Sequence, residues 1–162
     1  MHDTQPVIRQ NGELHPSRDE LAELMRAVIG KGRLFRFQAK GTSMSPFIKD
    51  GDVLSLSAIP AHGPRVGNVV AALLEPDGRL VVHRIAAGSA NRLTIVGDNS
   101  PDQDGYADET AILAKVVRIE RNGRRVALGL GPERRLIAFL SRRGWLYPLL
   151  NWVRRLRDRI VK

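Results

Sequence analysis

The feature that most constrains the fold is a change in the spacing of apolar residues at Leu34. Before it, apolar residues recur at helical intervals, and Ser17 with Glu20 three residues later has the pattern of a helix capping box. From Leu34 to about residue 128, apolar residues alternate in short runs separated by turns rich in Gly, Pro and Asp. We therefore predict a mainly-β fold, a coiled antiparallel sheet or partly open barrel, with an N-terminal helix and C-terminal helices.

The turn signals divide this region into short strands and one polar, acidic loop. The loop spans Gly97–Tyr106, and helical spacing returns after Pro132, predicting helices over Glu133–Arg143 and Pro148–Val161. The predicted strands are Leu34–Ala39, Val53–Ser57, Val66–Leu74, Arg79–Ile85, Arg92–Val96, Ile112–Glu120 and Arg124–Leu128. We expect a flexible leader over residues 1–16, a folded domain over 17–131 and a basic amphipathic helical tail over 132–162.

The net charge of +9 is concentrated in that tail. Residues 132–162 contain nine arginines or lysines and two acids, a net of +7, which leaves the remainder of the chain nearly neutral. Two interpretations of the tail stay open: residues 145–162 lie on an anionic membrane surface, or they pack on the body or on a second copy. The nearly neutral body argues against a nucleic-acid partner, and the oligomeric state stays open.

Composition also limits the chemistry and the compartment. The chain has no cysteine, which excludes disulfides, thiolate metal sites and a thiol nucleophile. The polar start Met1–Pro6 lacks the basic-then-apolar pattern of a secretory signal, and no run of about 18 apolar residues occurs. We therefore expect a cytoplasmic protein, free or peripheral at the inner face of the membrane.

A small hydroxyl residue, Ser43, lies at a predicted backbone corner between Gly41 and Asp52. Pro46 and an Asp-Gly-Asp turn follow it. A serine at such a corner exposes its hydroxyl, and neighbouring N–H groups converge on one spot, as acyl transfer requires. The alternative is an ordinary β-turn, because Ser, Pro, Gly and Asp dominate turns.

A nucleophilic serine needs a base, and the best candidate among the four histidines is His83. We expect its strand to pair with the strand that leads from Ser43. In the acidic loop that follows, Asp98 or Asp104 is placed to orient the imidazole. The alternatives are a histidine without a catalytic role and a solvated, Asx-rich turn. The loop's aspartates do not match the spacing of an EF-hand.

Taken in order, these motifs resemble the sequence boxes of the signal peptidase I and LexA-type serine peptidases. The resemblance covers about residues 34–120 and implies a coiled-sheet peptidase domain that hydrolyses amide bonds without a metal or cofactor. The matching boxes are Gly41-x-Ser43-Met44-x-Pro46, Gly51-Asp52, Gly67-x-Val69-Val70, His83-Arg84-Ile85, Gly97-Asp98-Asn99 and Asp104.

The resemblance implies a role for each candidate residue. Ser43 is the nucleophile and His83 the base, where bacterial signal peptidases and LexA-type repressors place a lysine. Histidine is typical of the archaeal and endoplasmic-reticulum signal peptidases. Asp98 and Asp104 match the two aspartates of those enzymes, and Asp104 is the preferred orienting acid. The N–H of Ser43 is the chief oxyanion donor. The implied oxyanion and substrate site is formed by Gly41, Thr42, Met44 and Pro46.

Three functions are consistent with these residues. The first is a signal-peptidase-like serine endopeptidase that cleaves a leader or exported peptide after small residues. The second is a non-catalytic or weakly active module that holds an extended peptide by β-augmentation. The third is a LexA-like regulatory fragment, although residues 1–33 supply one helix, too little for a helix-turn-helix, and no Ala-Gly or Cys-Gly self-cleavage site precedes Ser43. We favour the endopeptidase.

Overall fold

The computed structural model describes residues 9–10, 13–14, 17–89, 92–100 and 105–160. The strands are β1 (Arg9–Gln10), β2 (Glu13–Leu14), β3 (Phe35–Gln38), β4 (Val53–Ser57), β5 (Val69–Leu74), β6 (Arg79–Ser89), β7 (Arg92–Val96), β8 (Gly105–Ala107), β9 (Ile112–Arg121) and β10 (Arg124–Arg125). The helices are α1 (Arg18–Gly30), α2 (Arg134–Arg142) and α3 (Leu146–Ile160).

Eight of the strands form one curled antiparallel sheet, a half-barrel, which confirms the predicted mainly-β fold with a coiled sheet or partly open barrel. The order across the sheet is β3-β4-β9-β5-β6-β7-β8, and β10 continues the hairpin from β9. The sheet is curled, and β9 bends at register shifts against β4 and β5. The concave side therefore brings strands together that are distant in the sheet order.

Helix α1 begins as the sequence predicts. The Ser17 hydroxyl accepts from the N–H of Glu20 at 3.3 Å, and the Glu20 carboxylate accepts from the N–H of Ser17 at 2.7 Å, which completes the capping box. The helix packs against β3, β6 and β9 through Ala22, Met25 and Ile29, which are buried. These three side chains join the larger of two apolar clusters, so α1 covers one open side of the curled sheet.

The predicted pairing of the His83 strand was wrong. The strand is longer than expected and pairs with β5 and β7, not with β4. Strand β9 lies between β4 and β5, because it pairs with β4 over Lys115–Glu120 and with β5 over Ile112–Lys115. This insertion is a non-local pairing, and the order of strands along the chain does not reveal it.

Several element boundaries also differ from the prediction. The loop Gly97–Tyr106 enters strand β8 before it ends, and the last strand is cut short after Arg125. Helix α3 begins two residues before Pro148, which is tolerated because the first turn of a helix needs no N–H donor from that residue. Within the predicted leader, β1 and β2 pair as a small antiparallel ladder.

The C-terminal tail forms the two predicted helices. Helix α2 packs on β6, and α3 contacts α2. In the part of the chain that the structure describes, no helix combines the length and the apolar character needed to span a bilayer.

Candidate active site

The corner that carries Ser43 is a closed loop between β3 and β4. The N–H of Ala39 donates to the carbonyl of Asp52 at 2.8 Å, and the N–H of Gly51 donates to the carbonyl of Ala39 at 2.9 Å. Gly41 has φ +89°, a conformation that L side chains rarely adopt, and its N–H donates to the Asp50 carboxylate at 2.8 Å. The glycine thus sets the direction in which the chain approaches Ser43.

The far end of this loop is fixed by Asp52. Its carboxylate accepts two hydrogen bonds from Arg121, at 2.8 and 2.7 Å, and one from the N–H of Lys49 at 2.8 Å. Arg121 also donates to the carbonyl of Phe47 at 3.1 Å. Burial raises the pKa of Asp52, but the hydrogen bonds from Arg121 and Lys49 outweigh this and hold the pKa below its ordinary value of 3.8.

This contact predicts a loss of stability in acid. The folded chain keeps Asp52 ionised at a lower pH than the unfolded chain does, so its stabilisation is complete above 3.8 and is lost as the pH falls through the folded-state pKa. We expect Asp52→Asn to cost about 1 to 3 kcal/mol near neutral pH and progressively less in acid. Urea unfolding of both proteins across pH checks this, with Asp19→Asn, exposed on α1, as the control. A cost that does not change with pH contradicts the assignment.

Ser43 and His83 meet across the concave side of the sheet. The distance from Ser43 Oγ to His83 Nε2 is 2.8 Å, a hydrogen bond between residues 40 positions apart. His83 lies on β6 opposite Val70 of β5, and it is only 7% exposed. Ser43 itself is exposed. The arrangement presents an accessible hydroxyl to a nitrogen whose strand fixes its position, which is the geometry of a nucleophile and its base.

Asn99 holds the Ser43 backbone from the opposite side. Its N–H donates to the carbonyl of Ser43 at 2.6 Å, and its side-chain amide donates to the carbonyl of Thr42 at 3.2 Å. Because two successive carbonyls are held by one residue, the peptide plane before the nucleophile is fixed. The N–H of Ser43 has no hydrogen-bond partner among the described residues and is left as the candidate oxyanion donor.

A buried ion pair anchors the loop that carries Asn99. Arg84 donates to both carboxylate oxygens of Asp98, at 2.8 and 2.6 Å, and both side chains are fully buried. Arg84 also donates to the carbonyls of Gly67 and Gly129, each at 2.9 Å. A Cβ on Gly129 would lie 2.9 Å from the Cβ of Phe47, so this close approach requires glycine. One arginine therefore joins three loops directly behind the His83 strand.

An apolar cavity of about 400 Å³ opens beside the Ser43–His83 pair. Gly41, Ser43 and Met44 lie on one wall, and His83 lies on another. The remaining described lining comes from α1, β3, β4, β6 and the loop after β3, and it is mainly apolar: Leu21, Met25, Phe37, Gln38, Ala39, Lys40, Ile48, Leu54, Leu80, Val81 and Val82.

The family model described as Peptidase S24-like matches residues 9–117 of the chain. The chain belongs to the Peptidase S24-like family. This confirms the resemblance to the LexA and signal peptidase superfamily of serine peptidases. The match begins within the predicted leader and ends inside β9, so it includes the Ser43 corner and the His83 strand. A search of curated proteins found no match to the chain.

Within this Peptidase S24-like domain, the predicted site residues have different environments. Ser43 and His83 are in contact, and Gly41 and Met44 line the cavity with them. Thr42 offers its carbonyl to Asn99, and Pro46 is half-buried in the same turn. Asp98 has both carboxylate oxygens occupied by Arg84, whereas Asp104 lies outside the described residues, so the identity of the orienting acid stays a prediction.

Three contributors to the S24-like site were missed at the level of sequence. Asn99 and Arg84 stand inside the matching boxes, but their neighbours Asp98 and His83 received the roles. Met25 of α1, which lines the cavity, was assigned only to the core. The available signal was that Asn99 and Arg84 are hydrogen-bond donors directly beside Asp98 and His83 in the same boxes.

Proposed function

We propose that this S24-like chain is an active serine endopeptidase that uses a Ser43–His83 pair. The observation that carries the proposal is the 2.8 Å contact between Ser43 Oγ and His83 Nε2 beside an apolar cavity. Family membership supports a serine peptidase fold, and the contact supplies the two groups that acyl transfer needs.

In the proposed reaction, Ser43 Oγ attacks the scissile carbonyl while His83 Nε2 takes the hydroxyl proton. The N–H of Ser43 donates to the developing oxyanion, aided by the fixed backbone that Asn99 holds. The C–N bond then breaks, and His83 returns the proton to the leaving amine. Water attacks the acyl ester with His83 again as the base, which releases the acid product and restores Ser43.

The substrate that fits this site is an extended peptide. Strand β3 stands at the edge of the sheet among the described strands, and β6 pairs with β7 only from Arg84 onward. Both strands line the cavity, through Phe37 and Gln38 of β3 and Val81 and Val82 of β6. A peptide that adds to either strand presents alternate side chains to the apolar wall, as in β-augmentation.

The finer proposal is a signal-peptidase-like activity on a leader or exported peptide, cleaved after small residues. Its support is the apolar cavity wall formed by Met44, Met25 and Leu80; among the described residues that line the cavity, Lys40 is the one with a permanently charged side chain. Charged side chains on the substrate would lose their hydration against this apolar wall. We therefore expect neutral side chains at the residues that flank the cleaved bond.

A serine-reactive fluorophosphonate tests the proposal directly. We expect stoichiometric labelling that peptide mapping assigns to Ser43, with none in Ser43→Ala. Ser45→Ala, two residues away in the same loop, is the matched control and should label normally. Equal labelling of wild type and Ser43→Ala, or no labelling of a folded wild type, would exclude an activated nucleophile at this position.

A second candidate function is a peptide-binding module with the same groove. The edge position of β3 in the described sheet favours it, because strand addition needs no nucleophile. Binding of an extended peptide to both wild type and Ser43→Ala, together with absent probe labelling, is the result that distinguishes this function from the endopeptidase.

A further inference from the structure

The C-terminal helices and the turn between them expose six large apolar side chains. We call this the C-terminal surface and define it by Leu136, Phe139, Trp145, Leu149, Trp152 and Val153, all of which are exposed. Trp145 is 56% and Trp152 is 59% exposed. A soluble domain rarely leaves several large apolar residues of adjoining helices in water unless they contact another surface.

These side chains are not needed to hold the helices on the body. Helix α2 already buries Ile137 and Ala138, and α3 buries Leu146 against the rest of the chain. The exposed residues therefore lie outside the faces that pack on the sheet. Because α2 and α3 pack on the body through other side chains, the C-terminal surface stays available for a partner.

Basic side chains accompany the apolar ones. Arg135 and Arg142 of α2 line a cavity of about 460 Å³, together with Arg92 at the start of β7. The Arg143 guanidinium lies over the rings of Phe139 and Trp145, with its central carbon 5.0 and 5.7 Å from the ring centres. Arg135 and Arg142 thus line a cleft that Phe139 of the C-terminal surface also lines, and Arg143 lies directly on two aromatic rings of that surface.

We propose that the C-terminal surface docks on an anionic lipid bilayer. In this arrangement the two tryptophans and their apolar neighbours enter the boundary between headgroups and acyl chains, and the arginines contact lipid phosphates. The cleft lined by Arg92, Arg135 and Arg142 accepts a headgroup. Charge complementarity carries the choice of occupant, because residues 132–162 have a net charge of +7 while the remainder of the chain is nearly neutral.

Two other occupants fit less well. Nucleic acid would neutralise the arginines, but its phosphates would leave Leu149 and Val153 without an apolar partner. A second copy of the chain would cover the apolar residues, but it would bring two sets of like charges together. A bilayer with acidic headgroups offers phosphates to the arginines and an apolar interior to the exposed apolar side chains. No described residue lines both this cleft and the cavity beside Ser43, so the proposal is independent of catalysis.

The chain provides its own reporter for the test. Trp145 and Trp152 are its two tryptophans, so intrinsic tryptophan fluorescence reports on this surface alone. The test is a titration of the full chain with phosphatidylcholine vesicles and, separately, with vesicles that also contain phosphatidylglycerol. The expected result is a blue shift and co-sedimentation with the anionic vesicles, binding at least tenfold weaker to the neutral ones, and weakening with added salt.

Matched variants locate the contact. We expect Arg135→Gln/Arg142→Gln to weaken vesicle binding about 30-fold, from the usual contribution of each basic residue near an anionic surface. Arg124→Gln/Arg125→Gln removes the same charge from the exposed β10 strand and should cost less than about threefold. For the apolar component, Trp152→Ala should reduce co-sedimentation about tenfold or more, whereas Leu24→Ala, exposed on α1, should not.

Several outcomes would overturn the proposal. One is the absence of a blue shift and of sedimentation with anionic vesicles while circular dichroism shows a folded chain. Another is an equal loss of vesicle binding in Arg135→Gln/Arg142→Gln and in Arg124→Gln/Arg125→Gln, which would show that binding depends on net charge and not on the C-terminal surface. A concentration-dependent dimer that Trp152→Ala converts to monomer would show that a second copy, not lipid, covers the C-terminal surface. Tight binding to a short DNA duplex without vesicle binding would show that the partner is nucleic acid.

Discussion

Ser43→Ala is expected to lower peptide hydrolysis by about 10⁴- to 10⁶-fold, the range typical of removing a nucleophile that acts with a base. The reason is that the hydroxyl of Ser43 is the accessible group that His83 Nε2 contacts at 2.8 Å. Because Ser43 is exposed, the variant loses no core packing, and its thermal unfolding should match that of wild type within about 0.5 kcal/mol. Single-turnover cleavage of a leader-type peptide measures the rate.

The rate of peptide cleavage in His83 variants, alone and combined with Ser43→Ala, shows whether Ser43 and His83 act as one catalytic pair or independently. We expect His83→Ala to cost a similar factor and the double variant to cost no more than either single one, since both act in one step. His83→Gln keeps a polar side chain in this buried position and controls for unfolding. Costs that add in the double variant, or a His83→Gln protein with full activity, would remove His83 from the base role.

The largest expected effect on stability is that of Arg84→Met. The substitution leaves the Asp98 carboxylate buried without its partner, and it removes the donor to the carbonyls of Gly67 and Gly129. Breaking a buried ion pair from one side typically costs about 3 to 5 kcal/mol. Urea unfolding measures this, and activity should fall as well, because Asp98 precedes Asn99, which holds the Ser43 backbone.

Two further variants make this prediction specific. Arg84→Met/Asp98→Leu removes both charges and should recover part of the loss, because a buried apolar pair carries no desolvation cost. Arg36→Met breaks a contact with Glu120 in which the arginine is largely exposed, and it should cost less than about 1 kcal/mol. Equal costs for Arg84→Met and Arg36→Met would show that burial of the Arg84 pair does not determine its contribution.

Much of the fold is readable from local pattern. The strands Val53–Ser57 and Arg92–Val96 have the predicted bounds, and the Ser17–Glu20 capping box starts α1 where hydroxyl and carboxylate spacing require it. Alternation and turn residues act within a few positions along the chain, so they can be recognised in one sequence. The candidacy of Ser43 and His83 rests on short motifs that follow one another in a fixed order along the chain, and these can also be recognised in one sequence.

The tertiary relationships could not be predicted in this way. The position of β9 between β4 and β5 depends on register shifts that alternation does not encode. The contact from His83 to Ser43 therefore arises through the curl of the sheet and not through direct strand pairing. Likewise, Arg84 was visible as a charge in an apolar strand, but its three acceptor loops are brought together only by folding.

The cavity beside Ser43 has one wall that does not belong to the sheet. Met25 and Leu21 reach it from α1, whose own position is set by burial against β3, β6 and β9. The depth of the groove is thus determined by a helix that precedes both reacting residues in the chain. For the proposed peptidase, we expect exchanges of the partly buried Leu21 to change which peptides fit, whereas exchanges of the buried Met25 would also disturb the packing of α1 on the sheet. Selectivity of that proposed enzyme would then depend on α1, and its reactivity on the Ser43–His83 pair.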